Sequence, residues 1–218
     1  MKRPPLVLAL LVLSLAAAAP AAHARPLPDS YAGRLEGLAL VQALDLDLLG
    51  HDSATAVLQR WCDAHALAPG AKIQAQLIPG VANPLPDAAR QALGLGPKVA
   101  VRYRRVRLAC GTHVLSEAEN WYLPEALTPE MNRLLDYTDT PFGVAVKALD
   151  FHRRNLTAEL LFQPLAPGWE MRPPPVAKAG HALPVPPIVL RHTAALTTGA
   201  GAPLAYVVES YTAAVLDF

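Results

Sequence analysis

Four arginines fall within six residues, at Arg102, Arg104, Arg105 and Arg107. Guanidinium groups at that density can pair with carboxylates or grip an anionic ligand. In an extended strand the side chains alternate, so Arg102 and Arg104 share one face and Arg105 and Arg107 the other. If helices cover one face, at least one guanidinium is drawn inward and needs an anionic partner or ligand to offset its desolvation. The plainer reading is a solvated face with internal ion pairs. Far along the chain, Glu209 interrupts LAYVVESY, a run otherwise suited to a central strand. A carboxylate there is either a structural partner for an arginine or an acid/base group in a pocket. A third element is the turn Asp139-Thr140-Pro141-Phe142-Gly143, whose backbone N–H groups can face a ligand under an apolar Phe142 cover. Together these residues point to a pocket for a small carboxylate.

The elements that would hold them follow from caps and periodicity. Asp29 and Ser30 precede a helix with Leu35, Leu38, Leu40, Val41 and Leu44 as its apolar stripe. Asp52 or Ser53 caps a second helix with Ala54, Val57, Leu58 and Trp61 or Cys62 on one face. A short helix over 87–93 and a helix started by Thr128-Pro129-Glu130 complete the helical set. Strands are expected over 72–77, 99–110, 114–123, 147–162, 188–196 and 204–211, the second and third joined as an antiparallel hairpin at Gly111. Helices first and strands clustered later predict an α+β fold. The proline-rich stretch 163–187 has no period and reads as a surface loop or lid.

Composition bounds the rest. The 218 residues are 52% apolar with a formal net charge of +1, enough for one substantial core and with no global field to hold nucleic acid. Lys2 and Arg3, an apolar run from Leu6 to Ala19 and the triplet Ala22-His23-Ala24 form a signal sequence over 1–24. The mature chain, 25–218, is then expected as a single periplasmic domain, with no later segment apolar enough to span a membrane. In that oxidising compartment Cys62 and Cys110, the only two cysteines, can pair as a disulfide. Two cysteines without histidine spacing make no zinc site. His113, His152 and His181 read as surface histidines, and Ser116 lacks the setting of a hydrolase nucleophile.

Taken in order and spacing, RRVRLAC around Arg105, the hairpin to NWYLP, TPFG, VVESY around Glu209 and DSAT at 52–55 resemble the chorismate pyruvate-lyase family. The resemblance spans roughly residues 35–212. It implies a six-stranded antiparallel sheet flanked by helices, and a monomeric lyase that releases pyruvate from chorismate to leave 4-hydroxybenzoate without a cofactor or metal. It also implies that Arg105 grips the ring carboxylate and Glu209 stands at the hydroxyl end, with Thr140, Phe142 and Gly143 lining the pocket. The chain departs from the family where Ala54 replaces a larger pocket residue, where Phe142 stands for a leucine, and where Asn120 stands for an arginine. The same hairpin resembles the ligand-sensing domains of bacterial transcription regulators, which share the fold without catalysis. A non-catalytic binding protein for a small aromatic carboxylate is thus the alternative expectation.

Overall fold

The structure is a computed structural model that describes residues 26–80, 82–178 and 180–218. The expected signal sequence lies outside the described residues. Strands β1 (Gln74–Leu77), β2 (Arg102–Cys110), β3 (His113–Tyr122), β4 (His152–Leu160), β5 (Ile188–Thr197) and β6 (Pro203–Thr212) form one sheet in the order β1-β2-β3-β6-β5-β4. Every neighbouring pair is antiparallel. Helices α1 (Tyr31–Leu49), α2 (Ala54–Ala64), α3 (Asp87–Ala92), α4 (Pro129–Tyr137) and α5 (Phe142–Ala145) flank it. This is the expected α+β architecture. The fourth strand starts later than its apolar pattern predicts, because Lys147–Leu149 turn as a 3-10 helix and Asp150 takes a left-handed conformation before the ladder begins.

Side chains of even-numbered residues on β2 and the later part of β3 face α1, α2, α4 and α5, and that face carries two apolar clusters. One gathers Val41, Leu44, Val57, Leu58, Val106, Leu108, Ala118 and Tyr211 under α1 and α2. The other gathers Met131, Leu135, Phe142, Leu196, Leu204 and Val207 under α4 and α5. On the opposite face, α3 covers only Trp121, Ala195 and Tyr206, using Ala89 and Leu93. A bulge in β3 opposite Leu108 and Ala109 resets its alternation, so that Ser116, Ala118 and Asn120 all point to the helical side.

α1 is capped by Ser30, whose hydroxyl accepts from the Gly33 N–H. Its buried face keeps Val41 and Leu44 of the predicted stripe but is completed by Gly33, Gly37 and Leu48. Leu35, Leu38 and Leu40 are only partly covered. The reason is close packing: a Cβ on Gly37 would come within 2.9 Å of the Phe162 ring and 3.0 Å of Leu27. Ser53 caps α2 by accepting from the Ala56 N–H, and the indole of Trp61 donates to the Val215 carbonyl at 2.9 Å. Cys62 of α2 and Cys110 at the end of β2 form a disulfide with Cα atoms 6.4 Å apart. It ties α2 to the sheet.

The proline-rich stretch is a surface loop, as expected, but not a lid. Its described residues run along the N-terminal segment: the Leu183 N–H donates to the Leu27 carbonyl, the Lys178 N–H to that of Asp29, and Arg34 reaches the Pro164 carbonyl. Among the described residues, no helix is long and apolar enough to cross a membrane.

Candidate functional site

The two apolar clusters meet over the middle of the sheet, and there the packing opens into a small cavity of about 40 Å³. Val106, Leu108 and Ala118 line it from one cluster, Leu196 and Val207 from the other. Its roof is the N-terminal turn of α2 (Ser53, Ala54, Thr55) together with Phe142, Gly143 and Phe151. Gly143 matters sterically, since a Cβ there would lie 3.1 Å from the Ser53 hydroxyl and 3.4 Å from the Phe151 ring. An added Cβ would require the Ser53 hydroxyl to give way by a few tenths of an ångström.

The polar groups of the cavity are few. Glu209 is 7% exposed and lies beside Ala118 and His192 in the ladder. Its Oε2 accepts from Arg153 Nη2 at 2.6 Å and from the Tyr211 hydroxyl at 3.2 Å. Arg153 is held in turn: its Nε donates to Asn155 Oδ1 at 2.7 Å and its backbone N–H to Asp52 Oδ1 at 2.6 Å. Burial opposes the Arg153 charge, but Glu209, Tyr211 and Asp52 outweigh it, and its pKa stands above the ordinary value. Burial, then the Glu209 charge, pushes the Tyr211 phenol well above its ordinary value. Tyr211 therefore stays a hydrogen-bond donor. Asn120, 4% exposed, lines the cavity, and its side chain makes no hydrogen bond among the described residues. Both contacts to Glu209 fall on Oε2, which leaves Oε1 without a partner among the described residues.

Of the residues expected to form the site, Glu209, Ala54, Asn120, Phe142 and Gly143 come together in this cavity. Thr140 lines an adjoining outer chamber instead, with its backbone N–H taken by the Thr138 hydroxyl. Arg105 is not in either. It projects from the opposite face of the sheet, where Nη2 donates to Glu117 Oε2 at 2.9 Å, and it is about one-third exposed. The expected convergence of Arg105 with Glu209 is therefore corrected, and the reason is strand parity. Val106 and Leu108 must enter the core, which sends Arg104 inward with them and Arg105 outward. Arg104 is the buried guanidinium of the four. It donates to the carbonyls of Leu135 and Thr140, both at 3.0 Å, tying the end of α4 to the turn that walls the cavity. Burial pushes its pKa below the ordinary value.

Arg153 was not singled out by its sequence setting, since Arg153-Arg154 at the start of an edge strand looks like a solvated pair. His192 is also fully buried, 2.7 Å from Asp45 Oδ1 through Nε2 and edge-on to Tyr211. The one available signal was a histidine at a core-facing position of an apolar strand. Among the described residues, no group of three or more His, Cys, Asp or Glu side chains is placed to hold a metal ion.

The uncharacterized protein y4mC of Sinorhizobium fredii (strain NBRC 101917 / NGR234) is 49% identical over 193 residues, covering 88% of this chain and 81% of that protein. No protein-family model matches the chain. Among solved structures, PhnF from Mycobacterium smegmatis has a TM-score of 0.50 at 11% identity, over 89% of this chain and 90% of that one. The effector domain of PhnF from the same organism gives 0.48 at 10% identity, over 74% and 89%. The ligand-binding domain of a putative GntR-family transcriptional regulator from Bordetella bronchiseptica gives 0.41 at 14% identity, over 67% and 86%. At such identities the likeness to PhnF is one of fold.

Proposed function

We propose that this chain, which belongs to the family of the Sinorhizobium fredii protein y4mC, binds a small aromatic carboxylate in the cavity between α2, α5 and the sheet. The observation that carries the proposal is Asn120. Its carboxamide stands at the cavity wall with no side-chain hydrogen bond among the described residues, so it is free to donate to and accept from whatever enters. The apolar walls suit an aromatic ring, and the cavity continues into an adjoining chamber of about 530 Å³, which falls in the size range of small-molecule sites. With the export signal expected at 1–24, the binding would take place in the periplasm.

Binding without conversion is the reading favoured over chorismate lysis. The cation that the resemblance assigns to the ring carboxylate, Arg105, is on the far side of the sheet, and the cation that is present, Arg153, is already neutralised by Glu209. The lyase reading keeps one observation in its favour: Glu209 offers a free carboxylate oxygen inside the cavity, where a proton-transferring group would stand. One experiment separates the two. The purified chain is melted with and without 4-hydroxybenzoate, and incubated with chorismate while 4-hydroxybenzoate absorbance is followed. Stabilisation without product supports binding; product formation that Glu209→Gln abolishes supports the lyase; neither effect rejects both.

A further inference from the structure

Beside the cavity lies a second, larger chamber of about 530 Å³. The two share Ser53, Thr55, Gly143 and Phe151, so the α2 cap and the α5 turn form the neck between them. Their charges differ. The inner chamber is lined by two carboxylates, Asp52 and Glu209, against one guanidinium, Arg153. The outer chamber is lined by two ammonium groups, Lys72 and Lys147, against one carboxylate, Asp139. Lys72 precedes β1 and Lys147 follows α5, and neither makes an ion pair among the described residues. Between these ends the walls are apolar, with Phe142 inside, Phe151 at the neck and Pro141 and Val144 outside.

Resting on the reading of the cavity as a ligand site, we propose that Lys72 and Lys147 bind the acid group of the ligand, which lies outward, with its uncharged polar end at Asn120 and Glu209. An anion entering the inner chamber would meet two carboxylates and a cation already paired, so the field there opposes it. The same anion in the outer chamber meets two unpaired ammonium groups and gains charge-assisted hydrogen bonds. At the inner end, the Oε1 of Glu209 accepts and the Asn120 carboxamide both donates and accepts, which suits a hydroxyl. The class of ligand is thus an aryl acid with a hydroxyl at the end remote from its carboxylate. The departure from the resembled family is specific: the acid is held at the mouth by two lysines, not at the floor by an arginine.

Titration calorimetry on the purified chain tests this with 4-hydroxybenzoate and 3-(4-hydroxyphenyl)propanoate, which differ in the reach of the acid, with 4-hydroxybenzyl alcohol as the uncharged counterpart, and with terephthalate. In the double variant Lys72→Ala/Lys147→Ala the affinity for the tighter of the two hydroxy acids falls by about tenfold or more. Its affinity for the alcohol changes by less than about twofold. Terephthalate binds the native chain more weakly than 4-hydroxybenzoate. Both lysines are exposed, so the unliganded variant melts within about 2 °C of the native chain. Undiminished acid binding in the lysine variant overturns the proposal, as does terephthalate binding at least as tightly as 4-hydroxybenzoate. If Asn120→Leu alone abolishes binding while the lysine variant retains it, the cavity is a ligand site but its acid end is misassigned. If the native chain binds none of the four compounds, the cavity reading falls as well.

Discussion

Arg153 and Glu209 meet across the covered face of the sheet at 2.6 Å, with their side chains 3% and 9% exposed. A pair so desolvated stabilises little against well-packed apolar residues, yet losing one member leaves a buried charge uncompensated. Arg153→Ala and Glu209→Ala should each lower unfolding free energy by about 3–5 kcal/mol. The double change Arg153→Ala/Glu209→Ala should cost clearly less than the sum of the two single changes. Urea denaturation of the four chains closes this cycle; additive losses would mean the two side chains act independently.

Asn120 is the reverse case, a buried polar group that the fold does not use. Asn120→Leu replaces it with a side chain of similar volume and removes the unpaired amide. The variant should therefore stay within about 1 kcal/mol of the native chain in stability. At the same time it should lose stabilisation by 4-hydroxybenzoate. Melting curves with and without that acid read both effects, and a variant destabilised by more than that would show that the carboxamide has a structural role.

Arg105→Ala should leave ligand binding unchanged. Its ion pair with Glu117 is partly exposed on the face opposite the cavity, where partly solvated pairs contribute about 0–1 kcal/mol. A tenfold loss of affinity in this variant would contradict the geometry of β2.

On the same outer face Tyr103 donates to Glu119 Oε1 at 2.7 Å, and burial, followed by that hydrogen bond and the Glu119 charge, pushes its pKa up to about 12. An unfolded tyrosine titrates near 10, as a rule of thumb. With the folded value raised, the contribution of Tyr103 is fully present below the unfolded pKa and is lost as pH rises through the folded one. Stability should decline between about pH 10 and 12, and Tyr103→Phe should flatten that decline. Denaturant midpoints measured across the window decide it.

Reduction of Cys62–Cys110 should act on both stability and the site. The bond closes a loop across 48 residues, which corresponds to about 4 kcal/mol in the chain-entropy account. It also anchors α2, whose capped end roofs the cavity. Reduced protein, or Cys62→Ala/Cys110→Ala, should melt lower and bind 4-hydroxybenzoate more weakly.

Much of the scaffold is local information. Ser53 and Thr128 with Pro129 start helices where their hydroxyls accept backbone N–H groups, and the short Gly111 connection closes its hairpin. Six strands and the antiparallel pairing of the β2–β3 hairpin were legible in this way, whereas the six-stranded antiparallel sheet and the gathering of Glu209, Asn120, Phe142 and Gly143 in one region were what the family resemblance implied. So was the facing of the arginines: Val106 and Leu108 share their parity with Arg104, and the apolar pair settles which side is covered. Reading Arg105 as the inward group set motif similarity above that alternation. The stripe of α1 was legible at Val41 and Leu44 but not at Gly33 and Gly37, because glycines at close helix contacts carry no hydropathy signal.

What the sequence by itself determined is the set of elements and the chemical oddity of a carboxylate in the last strand, since caps, turns and alternation act within a few residues. Only the tertiary structure decided which cation answers Glu209. Arg153 lies 56 positions away in the chain, and nothing in its local setting separates it from Arg105 or Arg154. The register of three strands brings it onto the face where Glu209 is buried, and a desolvated carboxylate is matched by whichever guanidinium that register delivers.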